Sequence, residues 1–344
     1  MTEPSTTEST EFYTKVMAVS LATMAVIAVT ATLMHLRAVM VPFVLSLFLY
    51  FMVSPLVDNL EDRFKLPRSL SVLFTLVLAG LMVLGLVAIV SVSLKSFFDS
   101  APLYHVRLTQ FMNEFAVELE KWGISGFDLS HFRTELETAR VFTVIQRFTG
   151  QFMGLIGNFF LILIFLVFML LGQARSGHMP QFMTTILTQI SKYVWTKFVL
   201  SLATGVLVGA ILAFLGLDLA FMFGVLAFLL NFIPSVGSIF ATLLPIPVAI
   251  LQFGLGLDFA LAVVLPGLVQ FSIGNVIEPK LMGKSLGLHP ATLLFFLIFW
   301  GIVWGIPGMF LAVPITAIVK FVLSSFPQTK RLANIMAGQP FSSE

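Results

Sequence analysis

The sequence predicts an all-α protein that crosses a membrane repeatedly, with about 8 hydrophobic helical segments and one small helical insert outside the bilayer. Three observations lead there. The chain is 58% hydrophobic and 10% charged, with a mean hydropathy of +1.02, far from the balance of soluble domains. Apolar runs fall at 16–35, 38–57, 70–94, 152–172, 197–216, 219–252, 257–278 and 291–323, nearly all long enough to span hydrocarbon. The 37 Phe stand against 4 Tyr and 4 Trp, the bias of a surface turned to lipid.

The same composition excludes several classes. Without Cys there are no disulfides, thiolate metal sites or Cys nucleophiles. A net charge of +2, with cations in the loops between apolar runs, leaves no footprint for nucleic acid. His35, His105, His131, His178 and His289 are scattered without ligand spacing, so no metal is expected. Walker A, HExxH and GxSxG motifs are absent, which removes ATP hydrolysis and the common membrane peptidase chemistries and leaves no expected enzyme activity or cofactor.

Residues 1–94 form the N-terminal transmembrane helices. The start, MTEPSTTESTEFYTK, is acidic and rich in Ser and Thr, unlike the basic front of a cleaved signal peptide, so the first apolar run is expected to stay as an anchor. Residues 95–150 form the one long polar stretch. Pro102, apolar residues at helical spacing and the Gly123/Gly126 breaker predict two amphipathic helices there. Its 6 Lys/Arg and 7 Asp/Glu nearly balance, which disfavours a basic membrane-surface role. Residues 151–330 form the core and 331–344 a tail.

Loop cations set the expected orientation. Arg63, Lys65 and Arg68 fall in one loop, Arg175, Lys192 and Lys197 in a second, Lys280 and Lys284 in a third, and Lys330 and Arg331 near the end. Placing all four groups in the cytoplasm puts both termini inside and the 95–150 insert outside. Segment 219–252 must then begin and end outside, and 291–323 must begin and end inside. About 33 helical residues reach about 50 Å, too far for one crossing of a core roughly 30 Å thick. Each segment is therefore expected to be a hairpin of two shorter helices.

The two hairpins read as copies. LGLDLAFMFGVLAFLLNFIPSVGSIFATLLPIPVAI (215–250) aligns with LGLHPATLLFFLIFWGIVWGIPGMFLAVPITAI (286–318), with the LGL triplets 71 residues apart. Ile-Pro and Pro-Ile pairs keep their order in both. Each copy follows one crossing, 197–216 or 257–278, so the predicted unit is helix plus hairpin, repeated in inverted orientation over 197–252 and 257–323. Interrupted helices in inverted repeats point to a transporter's binding site.

In each copy Ile-Pro is expected to end one half-helix, with the next offering free N–H groups to something polar. Asn231, Pro234, Ser235, Gly237 and Ser238 stand at the first break, and Pro307 and Gly308 at the second. A plain surface turn would carry the same residues. In PGLVQFSIGNVIEPK, Gly267, Gln270, Gly274, Asn275 and Glu278 lie within about 140° of one another on a helix, predicting a polar stripe turned inward. Leu265, Val269, Ile273 and Val276 take the other side. Glu278 is either an acid in a transport path or, beside Pro279 and Lys280, an interface residue. Gly205/Gly209 and Gly301/Gly305 read as close-packing faces, and Lys320 as a side chain snorkelling to headgroups.

Three motifs together, NFIPSVGSIFATLLPIP, GNVIEPKLMGKSLGLHP and WGIPGMFLAVPITAIVK, resemble the signature of the autoinducer-2 exporter family of bacterial inner-membrane proteins. The resemblance covers essentially the whole chain. It implies a homo-oligomer, a pentamer by that resemblance, and export of autoinducer-2 in one branch; other members resemble sodium or lithium/proton antiporters. It carries transport-site status onto Asn231, Pro234, Gly237, Asn275, Glu278, Pro279, Pro307 and Gly308.

The leading expectation is a secondary exporter of a small hydroxylated molecule held by Asn231, Gln270 and Asn275, working within a lipid bilayer. A cation/proton antiporter would need a titrating acid, for which only Glu278 offers itself. A scaffold without transport would not need two broken hairpins. Topology has a direct test in a chain without native Cys. Single cysteines at Asp128 and Asp218 are expected to label from outside, and those at Arg68 and Lys284 only after permeabilisation; labelling of 218 and 284 from one side would refute the inverted arrangement.

Overall fold

A computed structural model describes residues 6–121, 159–172, 181–282 and 286–339. Every regular element among them is helical. Seven are long and apolar enough to cross a membrane, and three shorter apolar helices accompany them. The chain is a polytopic membrane protein.

Helix α1 (Thr6–His35) gives way to α2 (Arg37–Phe64) through the single residue Leu36. None of α1's most apolar stretch is buried within the chain, and Val19, Met24 and Ile27 stand open. In contrast, α2 turns Ser46, Phe48, Phe51, Val53 and Val57 inward. It packs against α1 and against the helices Arg68–Lys121, Phe159–Leu171, Gln181–Phe214 and Ile306–Ser324, which makes it the post of the bundle. Lys65, at φ 52°, ends it.

Helix α3 (Arg68–Lys121) is 54 residues long, about 81 Å at 1.5 Å per residue. It runs unbroken through Pro102, so the first half of the expected insert continues a membrane helix rather than starting a separate one. A proline is tolerated where the carbonyl it leaves unpaired can reach water. The second predicted amphipathic helix and the Gly123/Gly126 breaker lie outside the described residues. Helix α4 (Phe159–Leu171) buries Ile162, Leu166 and Leu170, one turn apart, against α2 and α3. Arg68 Nε donates to the Leu170 carbonyl (3.0 Å) and pairs with Glu61 at 3.7 Å, so one side chain joins the ends of α2, α3 and α4.

The C-terminal half begins with α5 (Gln181–Phe214) and folds back through two interrupted segments. The first is α6 (Ala220–Leu230), a turn at 231–235, α7 (Val236–Leu243) and α8 (Ile246–Phe253). After α9 (Leu257–Phe271) come a π-helical turn (Ser272–Ile277) and α10 (Glu278–Met282). The second is α11 (Pro290–Trp304) and α12 (Ile306–Ser324), parted at Gly305, with α13 (Lys330–Met336) behind it.

Both segments are hairpins with closed mouths. Gln252 accepts from the Asp218 N–H (2.8 Å) and donates to the Gly216 carbonyl (2.7 Å), tying the two ends of the first. At the second, Lys320 Nζ donates to the Leu286 and Gly287 carbonyls (3.0 and 2.8 Å). The His289 N–H donates to the Met336 carbonyl (2.9 Å). Lys320 therefore holds loop carbonyls, not headgroups, and the start of the expected tail is a docked helix with Ala333 and Met336 buried.

The arms are unequal. At 11 and 15 residues, α6 and α11 fall short of a crossing, whereas 236–253 and α12 reach spanning length. Trp304, at the second tip, shares a core cluster with Leu217 and Leu219 at the first mouth, and its indole N–H donates to the Leu33 carbonyl (3.1 Å). Phe232, at the first tip, shares a cluster with Leu286 at the second mouth. The Phe232 ring stacks on Phe310 with centroids 4.3 Å apart, and Phe48 of α2 closes edge-on over both.

Glycines set how near the helices come. A Cβ on Gly224 of α6 would lie 2.8 Å from the Gly205 carbonyl oxygen and 2.9 Å from Gly209 Cα, so the predicted α5 face is a close-packing face. Gly301 and Gly305 do something else: Gly301 faces the Met309 side chain, and Gly305, at φ 70°, makes the break. Gly224→Ala is expected to lower stability by about 1–3 kcal/mol through overpacking. Gly80→Ala and Gly85→Ala, where nothing stands within 4 Å, serve as controls. Equal thermal unfolding midpoints for all three purified variants would contradict this packing.

Candidate functional site

Tyr193, Lys197, Ser201 and Thr204 recur at helical spacing along α5, and all four are buried. Lys197 Nζ donates to both Glu278 carboxylate oxygens, at 2.7 and 2.8 Å. One turn on, Ser201 Oγ accepts from Asn231 Nδ2 at 3.0 Å. Thr204 turns its hydroxyl back to the Leu200 carbonyl (2.8 Å). This strip therefore ties α5 to the start of α10 and to the first hairpin break.

The ion pair corrects two expectations. Lys197 is not a loop cation; it lies inside the spanning stretch Leu187–Phe214, with 3% of its side chain exposed. Glu278 is not a plain interface residue, since it neutralises that ammonium with 20% of its own side chain exposed. A lone ammonium in such surroundings costs several kcal/mol, and a bidentate carboxylate is what makes it tolerable.

Beside this strip a groove of about 350 Å³ opens between α7 and the α9–π-turn segment. Ser238, Thr242, Gly267, Gln270 and Asn275 supply its polar and small lining, and Ile239, Leu243 and Phe271 its apolar walls. Its volume is at the lower end of the roughly 300–1,000 Å³ of small-molecule sites. Gln270 is buried, and neither its amide nitrogen nor its oxygen has a partner. Ser71 Oγ and Trp300 Nε1 are also buried without partners but lie away from the groove. The Asn275 amide is exposed, donating a long bond to the Phe271 carbonyl (3.3 Å).

The expected stripe is partly rearranged. Gln270 turns in as predicted, but Ile273 is buried and Asn275 exposed, the reverse of a regular helix. The π turn supplies the reason: its wider winding shifts the register partway along the stripe.

The other predicted residues divide between groove and scaffold. Ser238 lines the groove while its hydroxyl donates to the Ser235 carbonyl (3.1 Å). Asn231 is buried on Ser201, away from the groove, and so acts as a tie rather than a cavity-lining amide. Pro234 is half-buried in the turn, and Ser235, exposed at φ 57°, makes no side-chain cap. The Val236 and Gly237 N–H groups go to the Pro234 and Ile233 carbonyls (2.6 and 3.1 Å), so two of the donors expected to be free there are taken. Gly237 meets the Leu230 carbonyl where a Cβ would collide, and Gly308 meets the Trp300 carbonyl in the same way. Pro307 opens α12 instead of ending α11, since Gly305 has already made the turn.

Sequence reasoning missed Lys197, Ser201 and Thr242. The first two carried a readable signal, the 4-4-3 spacing of Tyr193, Lys197, Ser201 and Thr204 within one apolar run. Among the described residues no group of His, Cys, Asp or Glu is placed to hold a metal ion. Glu278→Gln alone is expected to cost about 3–5 kcal/mol by leaving the sealed Lys197 ammonium unpaired, with most of the loss recovered when Lys197→Met is added. Denaturation of the purified single and double variants measures this, and additive losses would show the pair to be uncoupled.

Comparison with known proteins bears on what this arrangement serves. A "Putative transport protein" of Haemophilus influenzae is 30% identical over 331 residues, covering 91% of this chain and 94% of its own. The AI-2 transport protein TqsA of Escherichia coli is 30% identical over 314 residues, covering 87% and 89%. A second "Putative transport protein", from Borreliella burgdorferi, is 29% identical over 316 residues, covering 88% and 85%. The family model described as AI-2E family transporter matches residues 21–328, and the chain belongs to that family of multi-pass membrane transporters.

Proposed function

We propose that this protein is a secondary exporter of a small, uncharged, hydroxylated molecule across the bacterial inner membrane, with autoinducer-2 as its substrate. The observation that carries this reading is the buried Gln270 amide, unpartnered at both atoms, on the wall of an open groove. A buried amide without partners costs about 1–3 kcal/mol, a cost that a ligand hydroxyl accepting from Nε2 and donating to Oε1 would remove once the groove widens enough to uncover the amide. Ser238, Thr242 and Asn275 add hydroxyl and amide groups at the same wall, and none of the lining residues carries a charge. That set suits a neutral molecule dense in oxygen. The relative named for AI-2 transport, alike over most of its length, supports the same substrate.

Exchange of sodium or lithium for protons is the weaker reading. It needs carboxylate oxygen for a bare cation, and both oxygens of Glu278 are taken by Lys197. In this reading both termini are cytoplasmic, and the open apolar faces of α1 and α3 meet lipid and further copies in a homo-oligomer.

Uptake of autoinducer-2 into everted membrane vesicles, under imposed pH and sodium gradients, tests the proposal. Gln270→Leu is expected to weaken uptake about fivefold or more, the worth of one hydrogen bond of about 1 kcal/mol. Its stability should hold or rise, because an unpaired amide gives way to an apolar group. Undiminished uptake by the variant would refute the groove as the site.

A further inference from the structure

Neither the backbone nor the packing requires a glycine at 267. The residue lies in the interior of α9 and has no positive φ, so its conformation is open to any residue. Pro266 restricts Leu265 before it, not Gly267 after it. Glycine is the weakest helix former after proline, so a helix that keeps one gives up stability. Close approach does not explain it either. A Cβ on Gly224, Gly237 or Gly308 would collide with a backbone atom, whereas one on Gly267 would meet a single neighbouring atom within 4 Å, Thr242 Cγ2 at 3.7 Å. That is ordinary van der Waals contact, so one methyl group would fit there and fill the gap.

The gap belongs to the groove, because Gly267, Thr242 and Gln270 all line it. The Thr242 hydroxyl donates to the Ser238 carbonyl (3.0 Å), one turn back along its own helix. With Oγ1 held there, the Cγ2 methyl is the part that faces Gly267. Gln270 stands three residues past Gly267 on the same side of α9, buried and unpartnered at both amide atoms. An amide in need of hydrogen bonds therefore lies beside a strip of Cα and methyl hydrogens that offers none.

Given the exporter reading above, we propose that Gly267 determines which substrates the groove takes. Its missing side chain leaves space against Thr242 Cγ2, and the carbon surface of a ligand lies there while its hydroxyl bonds to Gln270. The ligand class narrows accordingly, to compact neutral molecules with hydroxyl groups at one edge and C–H or methyl surface at another. A straight polyol with a hydroxyl on every carbon has no such edge and would leave hydroxyls unpaired against the methyl group. Replacing Gly267 acts by steric exclusion alone and leaves every polar partner in place.

Saturation of autoinducer-2 uptake into everted vesicles tests this, with the half-saturating concentration read separately from the maximal rate. Gly267→Ala is expected to raise half-saturation severalfold. Its thermal unfolding midpoint should be no lower than the parent's, since alanine favours the helix. Adding Thr242→Ser, which keeps the hydroxyl and removes the facing methyl, should bring half-saturation back toward the parent value. A glycine with a merely structural role would give no such rescue. Unchanged half-saturation in Gly267→Ala, or a loss that Thr242→Ser does not recover, overturns the proposal and leaves the exporter reading in place. Absence of uptake by the parent protein would instead remove the exporter reading, and this proposal with it.

Discussion

A helix that breaks inside an apolar run must find partners for the N–H and C=O groups it frees, because hydrocarbon supplies none. The architecture of the C-terminal half follows from how two breaks meet that demand. At 231–235 the turn closes on itself, with the Asn231, Phe232 and Ile233 N–H groups donating to Ala227, Leu229 and Leu230 carbonyls at 3.0, 3.3 and 2.8 Å. Pro234 stands where one fewer donor needs a partner. At the second break Gly305 takes a positive φ, its N–H bonded back to Gly301 and its carbonyl accepting from Met309. After each turn a glycine, 237 or 308, lets the returning helix start against a carbonyl of the outgoing one. The breaks are thus nearly self-sufficient, and each can sit within the bundle.

Self-sufficient turns still need an outside hold on their orientation, and the polar strip of α5 gives it to the first hairpin. Asn231 fixes that tip through Ser201, and one turn away Lys197 fixes α10 through Glu278. The two bonds differ in kind. A neutral amide–hydroxyl bond is worth about 1 kcal/mol net and leaves little behind when it opens. A buried ammonium cannot be left without a counter-charge so lightly, so the second contact holds α10 firmly. The stacked Phe232 and Phe310 rings join the first tip to the opening turn of α12, so the two hairpins do not pack independently.

Against this satisfied framework the groove stands out by what it leaves unmade. The N–H groups of Asn231, Phe232, Ile233, Val236 and Gly237 and the Asn231 Nδ2 are paired at the first break, whereas Gln270, on the helix that leads to the ion pair, has both ends of its amide free. A stable core would place Leu there. Keeping an amide in that position costs stability, a cost that the hydroxylated ligand proposed above would offset. The shape fits as well, since the groove lies between the returning arm of the first hairpin and the π turn, where a small change of winding alters its width.

Much was legible without coordinates. Hydropathy fixed the membrane setting, because long apolar runs have no other home, and the length of 219–252 and 291–323 required each to fold back. Ile-Pro located both breaks to within a residue or two, since proline restricts the backbone whatever surrounds it, while Gly305, which makes the second turn, read as a packing face. Gln270, Ser238 and Asn275 were found as polar residues in apolar company. Tertiary structure alone decided their roles. The π turn is a packing outcome that no propensity announces, and it moved Asn275 out and Ile273 in. Asn231 became a tie because Ser201 of another helix faces it. Lys197 looked like a loop cation until Glu278, 81 positions away, made burial affordable. Sequence settles what the local chain must do to survive in lipid; which buried charge finds its partner is a matter of long-range packing.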